Sequence, residues 1–163
     1  MRTSSKTTAV VVTALTLLSL SPAASAQAAA ASAVPGQAYV NRATGMCLAI
    51  GRGEVRAGKP VIQWPCIGSK SQHWIYRSDR RLVNVKTGMC LAIGRGEKKQ
   101  GKVAIQWPCT DGGPAQEWFY DRSHRLRNRA TGMCLAIGSG EKRKGKNAIQ
   151  WPCLGTSAQT WLR

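Results

Sequence analysis

The stretches Asn41 to Cys66, Asn84 to Cys109 and Asn128 to Cys153 align without a gap, and 18 of their 26 positions hold the same residue in all three. Each reads Asn-x-x-Thr-Gly-Met-Cys-Leu-Ala-Ile-Gly-x-Gly-Glu, passes through a basic stretch and ends Ile-Gln-Trp-Pro-Cys. A Gln-x-Trp triplet follows every time, as Gln72-His73-Trp74, Gln116-Glu117-Trp118 and Gln159-Thr160-Trp161. A unit of about 43 residues, used three times, confines the chain to folds that one short supersecondary unit can build by repetition.

Within the first unit, Tyr39-Val40, Cys47 to Ile50, Val61 to Trp64 and Trp74 to Tyr76 are strand-length apolar runs cut by Gly, Pro or charge. No apolar face at helical spacing lasts for the roughly ten residues a helix needs. The basic stretches, such as Lys98-Lys99-Gln100-Gly101-Lys102, carry a glycine and predict hairpin loops. Four strands per unit, about twelve in all, predict an all-β domain with pseudo-threefold symmetry. Three propeller blades would be fewer than propellers use, so a closed arrangement of three lobes fits better.

The chain ends set the boundaries. Arg2 and Lys6 flank the start of an apolar run, Ala9 to Leu20, that is too short to span a bilayer, and Ala24-Ser25-Ala26 has the small-x-small form of a cleavage site. Residues 1–26 therefore read as a signal peptide, and the expectation is a secreted, extracellular protein without a membrane span. Residues 27–38, rich in Ala with Pro35 and Gly36, read as a flexible leader. Residues 39–163 form the folded domain, with repeats at about 39–80, 81–124 and 125–163, expected to be a monomer.

Six cysteines in a secreted chain of this size predict a disulfide framework. Pairing Cys47 with Cys66, Cys90 with Cys109 and Cys134 with Cys153 treats the three units alike and keeps each self-contained. A zinc site would require closer ligand spacing; no Cys-x-x-Cys occurs, and His73 and His124 lack counterparts in the other units. No metal or other cofactor is expected.

Twenty-four Lys and Arg face seven Asp and Glu, a formal charge of +17 that falls by two if Arg2 and Lys6 leave with the signal peptide. The cations cluster. Arg52, Arg56 and Lys59 fall in the first loop, Arg95, Lys98, Lys99 and Lys102 in the second, and Lys142, Arg143, Lys144 and Lys146 in the third. Arg77, Arg80, Arg81, Arg122, Arg125, Arg127 and Arg129 lie in the connections. Such a surface suits an anionic polymer or simply solubility. Specific nucleic-acid recognition is not expected, because the interleaving of exposed aromatics and cations used on single strands is missing.

Cys-Leu, a loop with Gly58, Trp-Pro-Cys and then Gln-x-Trp resembles the ricin B-chain type lectin repeat, in three successive copies from about Tyr39 to Arg163. The resemblance implies a β-trefoil of twelve strands, six closing a barrel and six capping it in hairpins, with up to three shallow sugar pockets. It implies that Gln72, Trp74, Gln116, Trp118, Gln159 and Trp161 are structural, and that Trp64, Trp107 and Trp151 are aromatic platforms. A pyranose ring has an apolar C–H face that packs on an indole while its hydroxyls seek polar partners. The alternative is that these tryptophans shield the neighbouring disulfides.

The polar half of the family pocket is altered. The aspartate that follows Cys-Leu in the family is here Ala49, Ala92 and Ala136, and the asparagine before Gln-x-Trp is Ser71, Ala115 and Ala158. Two sets of residues are candidates to replace them. Glu54, Glu97 and Glu141 recur at one position of each unit, and Gln63, Gln106 and Gln150 precede the platform tryptophans. The glutamates could instead pair with the loop cations around them.

The expected function is a carbohydrate-binding, lectin-like module for a polysaccharide, an anionic one among the candidates, through up to three weak equivalent sites. The alternative is a protease-inhibitor or toxin-like interaction protein on the same scaffold. Catalysis is not expected: a glycosidase needs two carboxylates together, and each unit repeats only one. No catalytic residue is assigned.

Overall fold

The computed structural model describes residue 1 and residues 36–163. The expected signal peptide beyond residue 1 and the expected leader as far as residue 35 lie outside the described residues. Twelve strands fall four to a unit, as the sequence predicts. Strands β2 (Val40–Asn41), β3 (Cys47–Ile50), β4 (Val61–Trp64) and β5 (His73–Tyr76) form the first lobe. The second contains β6 (Leu82–Asn84), β7 (Cys90–Ile93), β8 (Ala104–Trp107) and β9 (Trp118–Tyr120). The third contains β10 (Leu126–Asn128), β11 (Cys134–Ile137), β12 (Ala148–Trp151) and β13 (Trp161–Leu162). Single 3-10 turns join them, and no α-helix occurs among the described residues.

The pairing is antiparallel throughout. Within a lobe, β3–β4, β7–β8 and β11–β12 are four-residue hairpins in one common register, Cys47 opposite Trp64, Cys90 opposite Trp107 and Cys134 opposite Trp151. Between lobes, β5 pairs with β6, β9 with β10, and β13 with β2, the last joining the two ends of the described chain. This is a β-trefoil.

One boundary differs from the sequence reading. A thirteenth strand, β1 (Gln37–Ala38), pairs with β5, setting Gln37 opposite Trp74. The β-structure thus begins two residues ahead of Tyr39, within the stretch 27–38 expected as leader. The reason lies in the symmetry of the barrel. In the other lobes the core tryptophan N–H is met by a residue from the preceding connection, Trp118 donating to Arg80 O and Trp161 to His124 O, each at 2.8 Å. The first lobe has no preceding lobe in sequence, so Gln37 takes that place.

Trp74, Trp118 and Trp161 fill the core with Leu48, Leu91, Leu135, Ile50, Ile93 and Ile137, all 1 % exposed or less. A buried indole withdraws about 200 Å² from water, on the order of 5 kcal/mol before ordering costs. Each indole N–H needs an acceptor once buried. Trp74 donates to Leu48 O, Trp118 to Leu91 O and Trp161 to Leu135 O, at 2.9–3.0 Å. Tyr39 stands where the other lobes have Leu82 and Leu126 and is fully buried. Its ring meets Tyr120 edge-on, 5.8 Å between centroids.

The cysteines pair within units, Cys47–Cys66, Cys90–Cys109 and Cys134–Cys153, each across 19 residues, and none is free. Each bond ties the start of one hairpin strand to the chain just beyond the other.

Candidate functional site

Three clefts of about 590, 450 and 550 Å³ repeat around the molecule, one per lobe. The first lies between the end of β3, the outer face of β4 and the 3-10 turn before Trp74. Ala49 and Gly51 line one side, Ile62 and Trp64 the other, with Ser69, Ser71 and Gln72 closing the end. Trp107 and Trp151 hold the same place in the second and third clefts. Trp64 is 37 % and Trp107 45 % exposed, and Trp151 is half-buried. The indoles are therefore open surfaces and not sealed over the disulfides.

Strand alternation sets this orientation. Successive side chains on a strand point to opposite faces. Val61 and Gln63 turn inward and are buried, while Ile62 and Trp64 turn out to the cleft. Gln63, Gln106 and Gln150 are for that reason removed from the candidate site. They are fully buried and line none of the three clefts.

Their amides are spent between lobes. Gln106 Nε2 donates to the carbonyls of Glu54 (2.7 Å) and Arg56 (2.9 Å), from the loop of the first lobe. Gln150 donates to Glu97 O and Lys99 O, both at 2.8 Å, and Gln63 to Glu141 O (2.7 Å) and Arg143 O (2.8 Å). Each basic loop is thus clamped by the glutamine of the next lobe around the pseudo-threefold axis. The loop glycine then rests on that lobe's indole. A β-carbon built on Gly58, Gly101 or Gly145 would stand 3.6 Å from Cζ3 of Trp107, Trp151 or Trp64 respectively.

The carboxylates are committed in part. Glu54 pairs with Arg56 at 2.8 Å and Lys59 at 2.5 Å, Glu97 with Lys102 at 2.5 Å, and Glu141 with Arg143 at 2.8 Å and with Lys146. Hydrogen bonds from Lys59 and then Arg56 hold the Glu54 carboxyl below its ordinary value. Lys102 does the same for Glu97, and Lys146 followed by Arg143 for Glu141. Glu54 and Glu97 still line their clefts beside the lysine, whereas Glu141 does not line the third. An exposed carboxylate can accept from a sugar hydroxyl without releasing its cation, since its two oxygens offer about four lone-pair sites.

The Gln-x-Trp glutamines support the cleft ends. Gln72 donates to Pro65 O at 2.7 Å and accepts from Ile67 N–H at 2.9 Å. Gln116 bridges Pro108 O and Thr110 N–H, and Gln159 bridges Pro152 O and Leu154 N–H.

Sequence reasoning passed over Arg52, Arg95 and Ser139 as cleft residues. Each sits between two glycines in the left-handed region, with φ of 57°, 60° and 56°, and each lines its cleft. A non-glycine residue held there is strained, and such strain gathers at ligand sites. The Gly-x-Gly frame around a varying middle residue was the available signal. The clefts consequently differ in charge: the first holds Arg52, Glu54 and Lys59, and the third holds Ser139, Thr156 and Ser157 without an acid.

Lys144 adds to that difference. Its Nζ lies 5.8 Å from the centre of the Trp64 ring, brought there by the third loop. Ala57 and Gln100 occupy its position in the other two loops. Among the described residues, no group of three or more His, Cys, Asp or Glu is placed to hold a metal, and no helix is long and apolar enough to cross a membrane.

An indole beside polar side chains, repeated in three lobes of a β-trefoil, is the arrangement of a carbohydrate-binding module. The sequence matches the family model of the ricin-type β-trefoil lectin domain over residues 37–161, and the chain belongs to that family. A designed threefold-symmetric protein, ThreeFoil, is similar at 26 % identity and TM-score 0.71, covering 76 % of this chain and 94 % of that one. An exo-β-1,3-galactanase from Clostridium thermocellum is similar at 27 % identity and TM-score 0.66, over 78 % of this chain and 30 % of the enzyme. The C-terminal half of an earthworm R-type lectin, solved in complex with GalNAc, shares the fold at 14 % identity and TM-score 0.65, over 77 % of this chain and 94 % of that one. A search of curated protein sequences returns no match.

Proposed function

We propose that this protein is a secreted, non-catalytic lectin that holds a polysaccharide, preferentially an acidic one, through three weak sites acting together. The observation that carries the reading is the open indole of Trp64, Trp107 and Trp151 at one side of a cleft in each lobe. With Ala49, Ala92 and Ala136 on the cleft wall, hydroxyl recognition passes to Glu54, Glu97 and the hydroxyls of Ser69, Ser71, Ser139, Thr156 and Ser157.

Preference for acid follows from Arg52, Arg95, Lys59 and Lys102 along two of the clefts and Lys144 beside Trp64. Three sites on one polymer can gain about 10²–10⁴ in avidity where the geometry allows simultaneous contact.

The test is retention on neutral and acidic polysaccharides at two salt concentrations, for the native protein and for the triple variant W64A/W107A/W151A. Retention of the native protein, lost in the triple variant, supports the reading. Failure of the native protein to bind any polysaccharide at low salt would overturn it.

A further inference from the structure

Of the seven arginines in the connections between the lobes, four are held by acids and two meet over one ring. Arg77 is held by Asp79 at 3.4 Å, Arg81 by Asp111 at 3.1 Å, Arg125 by Asp121 at 2.8 Å and Arg129 by Glu117 at 2.9 Å. Arg80 and Arg127 are different. Their guanidinium carbons lie 4.8 and 5.4 Å from the centre of one ring, that of Phe119. Both arginines are exposed, and neither side chain has a hydrogen-bond or ion-pair partner among the described residues. Glu117, two residues before Phe119 on the same strand face, is occupied: both its oxygens accept from Arg129 Nη1, at 3.0 and 2.9 Å.

The backbone fixes both roots. Arg80 has φ of 64°, its N–H donates to Arg77 O at 2.9 Å and its carbonyl accepts from Trp118 N–H at 2.8 Å. Arg127 stands directly opposite Phe119 in the β9–β10 ladder. The arrangement breaks the threefold symmetry. The equivalent places hold Gln37, Ile75 and Val83 around the first lobe's strand, and His124, Leu162 and Val40 around the third's. A guanidinium stacked on a ring keeps its in-plane N–H donors free, and an aromatic support limits the rotamer freedom lost when an anion binds.

We propose that Arg80 and Arg127, both set over Phe119, form an anion-binding clasp outside the three clefts that takes the tetrahedral oxyanions of an acidic polysaccharide, as sulfate esters or phosphodiesters. The clasp does not depend on sugar binding in the clefts.

The experiment measures affinity for dextran sulfate and for long-chain inorganic polyphosphate at about 0.15 M salt, where the Debye length is roughly 8 Å, with plain dextran as the uncharged control. R80A/R127A should bind about tenfold more weakly, the loss of roughly one charge-assisted contact. R42A/K70A removes the same charge from exposed residues outside the clasp and the cleft linings and should lose no more than about twofold. F119L keeps both charges, places the third lobe's residue under them, and should lose affinity while its thermal transition reports an intact fold. R80K/R127K should lose most of the affinity, because lysine lacks the planar fork.

Loss toward dextran sulfate alone assigns the sulfate ester, and loss toward polyphosphate alone the phosphoryl oxyanion. Equal losses from the two alanine pairs, or full affinity in the lysine pair, would overturn the clasp. Polyphosphate offers no sugar ring to the clefts, so its weaker binding by R80A/R127A reads the clasp alone, whereas retention of a neutral polysaccharide reads the clefts alone; failure of the lectin reading and failure of the clasp are therefore separable.

Discussion

Gly145, in the basic loop of the third lobe, lies against the indole of Trp64 in the first, its built β-carbon 3.6 Å from Cζ3. The same contact joins Gly58 to Trp107 and Gly101 to Trp151. The first two clefts are lined by their own lobes, yet in every lobe the platform indole is backed by the loop of another.

Gly145→Ala should destabilise the protein by about 1–2 kcal/mol. The distance is ordinary van der Waals contact, so the cost comes from the backbone, which sits at φ +81° where a β-carbon is strained. A lowered thermal midpoint with little change in affinity for neutral oligosaccharides is the expected result.

Gln63→Leu should cost about 2–4 kcal/mol, since it leaves the carbonyls of Glu141 and Arg143 without their donor in a buried junction. Urea denaturation reads the loss. Hydrogen exchange should rise first in the third loop, residues 141–146, and not in the first lobe that carries the substitution.

Trp64→Ala should weaken binding of an acidic oligosaccharide more than Trp107→Ala or Trp151→Ala, because Lys144 stands beside that ring alone. Lys144→Ala should weaken the acidic ligand by about threefold, the scale of one exposed charge contact, and leave a neutral one unchanged. Titration calorimetry with a matched pair of oligosaccharides checks both statements. Equal effects on the two ligands would contradict the assignment.

The loop glutamates Glu54, Glu97 and Glu141, of which the first two line their clefts, set the acid limit. Their folded values lie below the ordinary carboxylate value, chiefly through lysine hydrogen bonds. The contribution of these pairs is therefore complete above the unfolded-state value and is lost as pH falls through the lower folded one. Cleft affinity for a neutral oligosaccharide should be level from pH 7 to about 5 and decline only below that. Raised salt should move the decline to higher pH by screening the lysines. A decline already complete by about pH 6 would contradict this prediction.

Much of the fold was legible in the residues. The runs at Cys47–Ile50 and Val61–Trp64 are strands at the predicted bounds, and the six cysteines pair as the repetition required. The thirteenth strand was not, because Gln37 and Ala38 are strand-forming only through their pairing with β5. The site was legible in part. The outward indoles were expected, and alternation along β4 by itself places Gln63 on the face opposite Trp64. What receives the Gln63 amide was beyond reach, since its acceptors belong to the third lobe's loop.

The sequence by itself determined the threefold plan, the strands and the disulfides. These follow from local periodicity and from the equivalence of three copies, which any one unit already contains. Only the tertiary structure decided which loop abuts which indole, so that Lys144 serves Trp64 while Ala57 and Gln100 take the other two places, and that Arg80 and Arg127 meet on Phe119. Those pairings arise where lobes close on one another, and contact between distant segments is set by packing geometry that no repeat pattern encodes.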